Sequence, residues 1–226
     1  MAEPRRSTRV SMPAATMTCD HFEVNMHTLF KKIGLSVVMD KLSQIQIPKT
    51  NEDYTAISKR GDYKKFGIGI AKLAYNHFKT NPTQPYHVQL GWKPADGGSP
   101  HSMALVIFQN GRIEFFDANG KMEPTKYISD RVMGSVLSAI GDNIPNGTVV
   151  LVNKKNINKG GKCIQWSIFY HYFRHLILEK GIINNNVPRK FFNNVNNNNI
   201  QQIYGLLNKR NITGLNKFIS EKLNQS

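Results

Sequence analysis

Residues 101–120, HSMALVIFQNGRIEFFDANG, decide how this chain is read. Met103 to Phe108 is a continuous apolar run, Gln109-Asn110-Gly111 is a strong turn signal, and Arg112 to Phe116 is rich in strand formers. Together they predict a β-hairpin. A two-residue turn centred near Asn110 sets position 101 roughly opposite positions 117 to 120, so His101 and Asp117 meet at one edge of the sheet. A carboxylate there holds one imidazole nitrogen and thereby fixes the tautomer of the ring. Taken singly, each residue has a plainer reading, a polar loop histidine and a turn aspartate ahead of Ala118-Asn119-Gly120.

Further along, Ile128 to Ile140 has helical spacing at Ile128, Val132, Val136 and Ile140, and Val149 to Val152 reads as a buried strand after the turn at Pro145-Asn146-Gly147. A glycine-rich basic loop then leads into CIQWSIFYHYFRHLIL, Cys163 to Leu178, long, strongly apolar and free of Gly and Pro. Its length predicts a buried helix rather than a strand. A thiol at the first turn of such a helix feels the positive end of the dipole and unpaired backbone N–H groups, and four nearby lysines favour the thiolate further. The same N–H groups suit the oxyanion of a tetrahedral intermediate, helped by a side-chain amide from the preceding loop. Asn156 is the candidate for that amide, with Asn153 and Asn158 behind it. Alone, Cys163 would read as a small buried hydrophobe. With the hairpin, the order His101, Asp117, Cys163 predicts a cysteine hydrolase.

The remainder frames that site. Residues 1–18 are polar, with Arg5, Arg6 and Arg9, and predict a flexible basic arm. From Phe22 to Leu42 apolar residues recur every three or four positions, as in one helix or two short ones broken near Gly34, and Ile68 to Phe78 is a second helical candidate. Residues 19–183 are therefore expected to form the catalytic domain. Nine asparagines between Asn184 and Asn199 predict a loop over 184–199, and Ile200–Leu207 with Leu215–Leu223 predict a C-terminal helical extension over 200–226. The fold class expected is α+β: a small mixed sheet of strands 103–108, 112–117 and 149–152 against the Cys163 helix, with other helices around it.

At 226 residues and 40% hydrophobic the chain is long enough for one packed domain. No run of 18 apolar residues occurs and nothing apolar follows the basic start, so neither a membrane span nor a secretory signal is expected. Two cysteines, Cys19 and Cys163, are too few to staple such a chain, which suits a reducing compartment. The net charge of +15 predicts attraction to phosphate polymers or acidic surfaces, with nucleic acid the expected partner and a solvated basic surface the alternative. The cations cluster: Lys59, Arg60, Lys64 and Lys65; Lys154, Lys155, Lys159 and Lys162, the second group being the expected nucleic-acid contact; then eight between Arg174 and Lys222. No metal site or cofactor is expected, since His171 and His175 lack the intervening Glu of a metalloprotease helix and read as solvent-facing or capping residues.

The stretch HSMALVIFQNGRIEFFDANG, followed after a helix and a strand by LVNKKNINKGGKCIQWSIFYHYFRH, resembles the adenovirus-type cysteine proteases, the clan that includes the SUMO-specific proteases. The likeness is greatest to versions encoded by large DNA viruses, where the cysteine is commonly followed by Trp-Ser on an aromatic-rich helix, as Trp166-Ser167 is here. It covers about residues 85–178, and the separations of 16 residues from His101 to Asp117 and 46 from Asp117 to Cys163 are similar to the family's. The chain departs from the family at Ser102, where Trp is frequent, and at Ile164, where Gly is. The resemblance implies a papain-like fold, Cys163 as nucleophile, His101 as general base and then acid, Asp117 as the orienting carboxylate, Asn156 at the position of the oxyanion amide and Trp166 in substrate binding. It implies a monomeric endopeptidase that cuts viral precursor proteins, often after small residues, in the virion and the host cytoplasm, held near its substrates by DNA. The alternatives are an inactive, basic, DNA-binding core protein of the same fold, and a host-directed deubiquitinase, deSUMOylase or acetyltransferase using the same triad order.

Overall fold

The computed structural model describes residues 19–38, 44–95, 99–158, 161–182 and 186–224. The basic arm expected over 1–18 lies outside the described residues, as does Lys159. The elements run α1 (Cys19–Lys32), β1 (Val37–Val38), β2 (Gln44–Ile47), α2 (Asn51–Lys59), α3 (Asp62–Thr80), β3 (Tyr86–Pro94), β4 (His101–Ile107), β5 (Arg112–Phe116), α4 (Ile128–Asp142), β6 (Thr148–Leu151), α5 (Cys163–Glu179), α6 (Asn186–Asn193), α7 (Asn197–Asn208) and α8 (Ile212–Asn224). One mixed sheet has the order β1-β3-β4-β5-β6, with β2 also pairing β3. The chain is α+β, with six strands among the described residues where the sequence suggested three.

Strand β4 lies at the centre and all seven of its residues are buried. Met103, Leu105 and Ile107 enter a core shared with α3 and α4, whereas Ala104 and Val106 enter a second core shared with α1 and α5 to α8. Two covered faces explain why the strand reads as an unbroken apolar run. The hairpin is in the expected register, Ala104 opposite Phe116 and Ile107 opposite Ile113. On one face α3 and α4 pack so closely that a Cβ on Gly67 would lie 2.6 Å from the Val136 carbonyl oxygen, so only glycine fits there.

On the other face α5 is buried around most of its circumference, as its nearly continuous apolar sequence requires. Part of its cover comes from the asparagine-rich segment. The loop expected over 184–199 is instead largely helical: α6 inserts Phe191 and Phe192 against Phe116, Phe169 and Phe173, and α7 begins with a reciprocal cap between Asn196 and Asn199. The asparagines act as helix caps here rather than as linker. The described part of the 200–226 segment, expected as an extension, shares the α5 core through Ile203, Tyr204, Leu207, Leu215 and Phe218 and is integral to the domain. Near the start, α1 ends at Lys32, Gly34 takes φ +78°, and Val37, expected in a helix, lies in β1.

Three histidines, His27 of α1, His87 of β3 and His171 of α5, are buried between these layers. His171 thus does not face solvent, as its sequence context suggested; its Nδ1 lies 3.1 Å from Nδ1 of His87, one donating to the other. Its neighbour His175 is partly exposed and meets the Ile33 carbonyl and Glu179. Burial lowers the pKa of all three, to about 4 for His27, where Lys31 adds to it, and to about 3 for His87, with Arg174, His175 and His77 contributing. The unfolded chain protonates these rings near 6.5 while the folded one does not, so between those values the unfolded state binds more protons. Their stabilising contribution is complete above about pH 6.5 and is lost as pH falls toward 4, by up to about 1.4 kcal/mol per pH unit for each ring still neutral. Urea midpoints are expected to drop between pH 7 and pH 5, and to drop less in His27→Leu; a midpoint constant over that range would contradict the account.

Candidate active site

Each element delivers one group to a common edge. His101 opens β4, Asp117 follows the last residue of β5, and Cys163 opens α5. His101 Nε2 is 2.7 Å from Asp117 Oδ1, and that oxygen also accepts the Asn119 backbone N–H at 2.8 Å. The 117–120 turn closes with the Gly120 N–H donating to the Asp117 carbonyl, Gly120 having φ +91° and lying so near Lys155 and Asn156 that a Cβ would overlap their backbone. Backbone N–H groups of Ile157 and Asn158 both donate to the Ala118 carbonyl, at 2.8 and 3.1 Å. The turn carrying the acid is therefore zipped to the loop that leads into Cys163.

His101 also acts on Cys163, through a side-chain hydrogen bond and through its charge. Burial alone would lower the His101 pKa, but hydrogen bonds to Asp117 and Cys163 and the negative charge on both raise it to about 10. Burial likewise works to raise the Cys163 thiol, and is overcome by the hydrogen bond and charge of His101 and by the N–H groups of Ser102 and Ile164, so the thiol lies below its ordinary 9.0. Both shifts act in the direction that favours a thiolate beside an imidazolium. Cys163 is free and retains 8% of its surface.

Lys154, Lys155 and Lys162 are not among the groups that lower the thiol pKa, although the sequence suggested they would be. Lys162 lies over the Tyr204 ring at 4.9 Å, Lys155 donates to the Val195 carbonyl at 3.3 Å, and Lys154 is exposed. Trp166, expected to bind substrate, is fully buried against Phe169, Phe192 and Tyr204, and belongs to the core. Asn156 is exposed, its Oδ1 accepting the Asn158 N–H at 3.0 Å. Asn153 is buried and donates to the Lys155 carbonyl, while Asn158 bonds the side chain of Asn119 at 2.9 Å.

Sequence reasoning missed several neighbours. Asn119 brings its amide within 3.3 Å of His101 Nε2. Trp92, paired across the strands with His101, sets its ring 5.3 Å from the imidazole. Gln89, Ser102 and Ser167 form a buried polar group behind the site. Their signal is positional: it appears only once β3 is recognised as the strand beside β4.

Among the described residues no group of three or more His, Cys, Asp or Glu is arranged to hold a metal ion, and no helix is long and apolar enough to cross a membrane. Compared with known proteins, the chain matches no family model, no curated protein and no solved structure.

Proposed function

We propose that this chain is a cysteine endopeptidase with a papain-like, adenovirus-type arrangement of its catalytic groups. The observation that carries the reading is the buried His101–Asp117 hydrogen bond set against a depressed-pKa thiol at a helix N-terminus. In the proposed reaction the Cys163 thiolate attacks the substrate carbonyl, and the backbone N–H of Cys163, at the open first turn of α5, bears on the developing oxyanion. The carbon–nitrogen bond breaks as His101 gives its proton to the leaving amine, forming a thioester. Water, giving a proton back to His101, then releases the acid and regenerates the thiolate. Asp117 keeps the ring oriented and supports its positive charge. The substrates proposed are viral precursor proteins, met in the virion and host cytoplasm, with the basic surface, Lys154 and its neighbours included, holding the enzyme on DNA.

The test is a peptidyl vinyl sulfone followed by intact-mass and peptide-map analysis. Labelling at Cys163 that is lost in Cys163→Ala, with cleavage of a peptide library, supports the reading. Absence of labelling in the folded protein makes it a non-catalytic relative, and reaction only with ubiquitin or SUMO probes, or acetyl-coenzyme A dependence, replaces the endopeptidase with one of those activities. If salt between low and moderate ionic strength leaves DNA retention unchanged, the DNA-holding role is wrong.

A further inference from the structure

Polar side chains form a seam along the sheet-facing side of α5. Cys163, Ser167 and His171 follow at four-residue spacing and so share one side of the helix. Each meets a polar group of the sheet: Cys163 meets His101, Ser167 meets Gln89 and Ser102, and His171 meets His87. Inside a packed core, such groups lower stability unless something fixes them.

Gln89 of β3 reaches both halves of the site. Its Nε2 donates to Ser102 Oγ at 2.5 Å and to Ser167 Oγ, and the two hydroxyl oxygens are 3.2 Å apart. Ser167 Oγ in turn donates to the Ile164 carbonyl at 3.0 Å. Ser102 and Ile164 are the residues whose backbone N–H groups bear on the Cys163 sulfur. The network thus ends on both residues that support the thiolate, one in the strand carrying His101 and one in the helix carrying Cys163. All three side chains are buried, and the Gln89 Oε1 has no hydrogen-bond partner, a cost that packing alone does not explain.

We infer that Gln89 is a positioning residue, its two N–H groups fixing α5 against β4 so that the His101 ring and the Ser102 and Ile164 N–H groups converge on the sulfur of Cys163. The inference rests on the proposed role of Cys163 as nucleophile. An apolar side chain of similar volume fills the same space but leaves the helix free to shift along the strand.

The test is the rate of Cys163 alkylation by iodoacetamide against pH, read by peptide mapping, which needs no substrate. Gln89→Met is expected to fold and to move the reactive limb toward an ordinary thiol by about one pH unit, slowing alkylation at pH 6 about tenfold. His87→Phe, on the same strand and as deeply buried, is expected to lower stability without moving the limb. A Gln89→Met profile within twofold of the unsubstituted protein, or an equal displacement in His87→Phe, overturns the inference. Should Gln89→Met not fold, Ser167→Ala, which cuts only the helix end of the network, carries the same expectation and the same refutation. If the unsubstituted protein itself shows an ordinary thiol profile that His101→Ala leaves unchanged, the proposed role of Cys163 fails instead.

Discussion

Replacing His101 with alanine is expected to lower peptide hydrolysis by about 10⁴-fold or more, because it removes the base, the acid and the counter-charge together. Burial acts to raise the Cys163 pKa, and His101 provides the largest opposing influence, through its hydrogen bond and its charge. Without the ring the thiol pKa is expected to rise, so alkylation at pH 6 falls along with hydrolysis. The unsubstituted protein should show two separable limbs. Both reactions increase as pH rises through the depressed thiol pKa, since both need the thiolate. Hydrolysis then declines near pH 10 as His101, with its pKa of about 10, loses the proton the leaving amine requires, whereas alkylation does not decline. A His101→Ala protein that kept its low-pH alkylation limb would show that the imidazole does not hold the thiolate, and the triad would be discarded.

How far the sequence discloses this arrangement depends on where each partner lies. The hairpin is legible because the Asn110-Gly111 turn and the apolar strands are local, and its register brings His101 to Asp117. Helices α4 and α5 are legible from periodicity and length, and Cys163 from its place at the start of α5. Strand β3 is not: His87 and Gln89 interrupt Val88 and Leu90, and their partners, His171, Ser102 and Ser167, lie 13 to 84 residues away. The alternation looks like a half-exposed segment, while in fact both faces are buried and one of them is polar. Helix α6 is obscured by composition, since asparagines at 184–186, 193–194 and 196–199 surround Phe191 and Phe192, the residues that dock it. Trp166 shows that proximity in sequence to a nucleophile does not reveal burial: its ring is covered by Phe192 of α6 and Tyr204 of α7, helices that come later in the chain. The lysines around residues 154–162 show the same limit for charge, whose count is visible in sequence and whose direction is not.

Glu114→Leu is expected to destabilise the protein by about 3–5 kcal/mol, because it leaves a buried cation unpaired. The Glu114 carboxylate has no exposed surface; it accepts from Arg112 Nε at 2.8 Å and from the Tyr170 hydroxyl at 2.7 Å, and lies 2.9 Å from Arg174 Nε. Arg174 is 1% exposed, its guanidinium 4.8 Å from the centre of the Phe108 ring. With the carboxylate gone, no other carboxylate among the described residues pairs with that charge, so the cost is the desolvation of Arg174 rather than the worth of one contact. The double variant Glu114→Leu with Arg174→Met removes both charges and is expected to recover much of the loss, a coupling that a double-mutant cycle in urea measures directly. At about 2–4 °C per kcal/mol for a domain of this length, the single variant should melt roughly 10 °C lower. The position of this cluster gives the loss a functional side. Glu114 lies three residues before Asp117 on β5, and Tyr170 and Arg174 lie on the helix that begins with Cys163, so the cluster clamps the strand leading to the acid onto the helix bearing the nucleophile. Tyr170 reinforces the clamp by stacking on Phe116 at 4.7 Å. Near-additive energies in the cycle would mean that Glu114 and Arg174 are not coupled, and the clamp would then have to be sought in the aromatic stack alone.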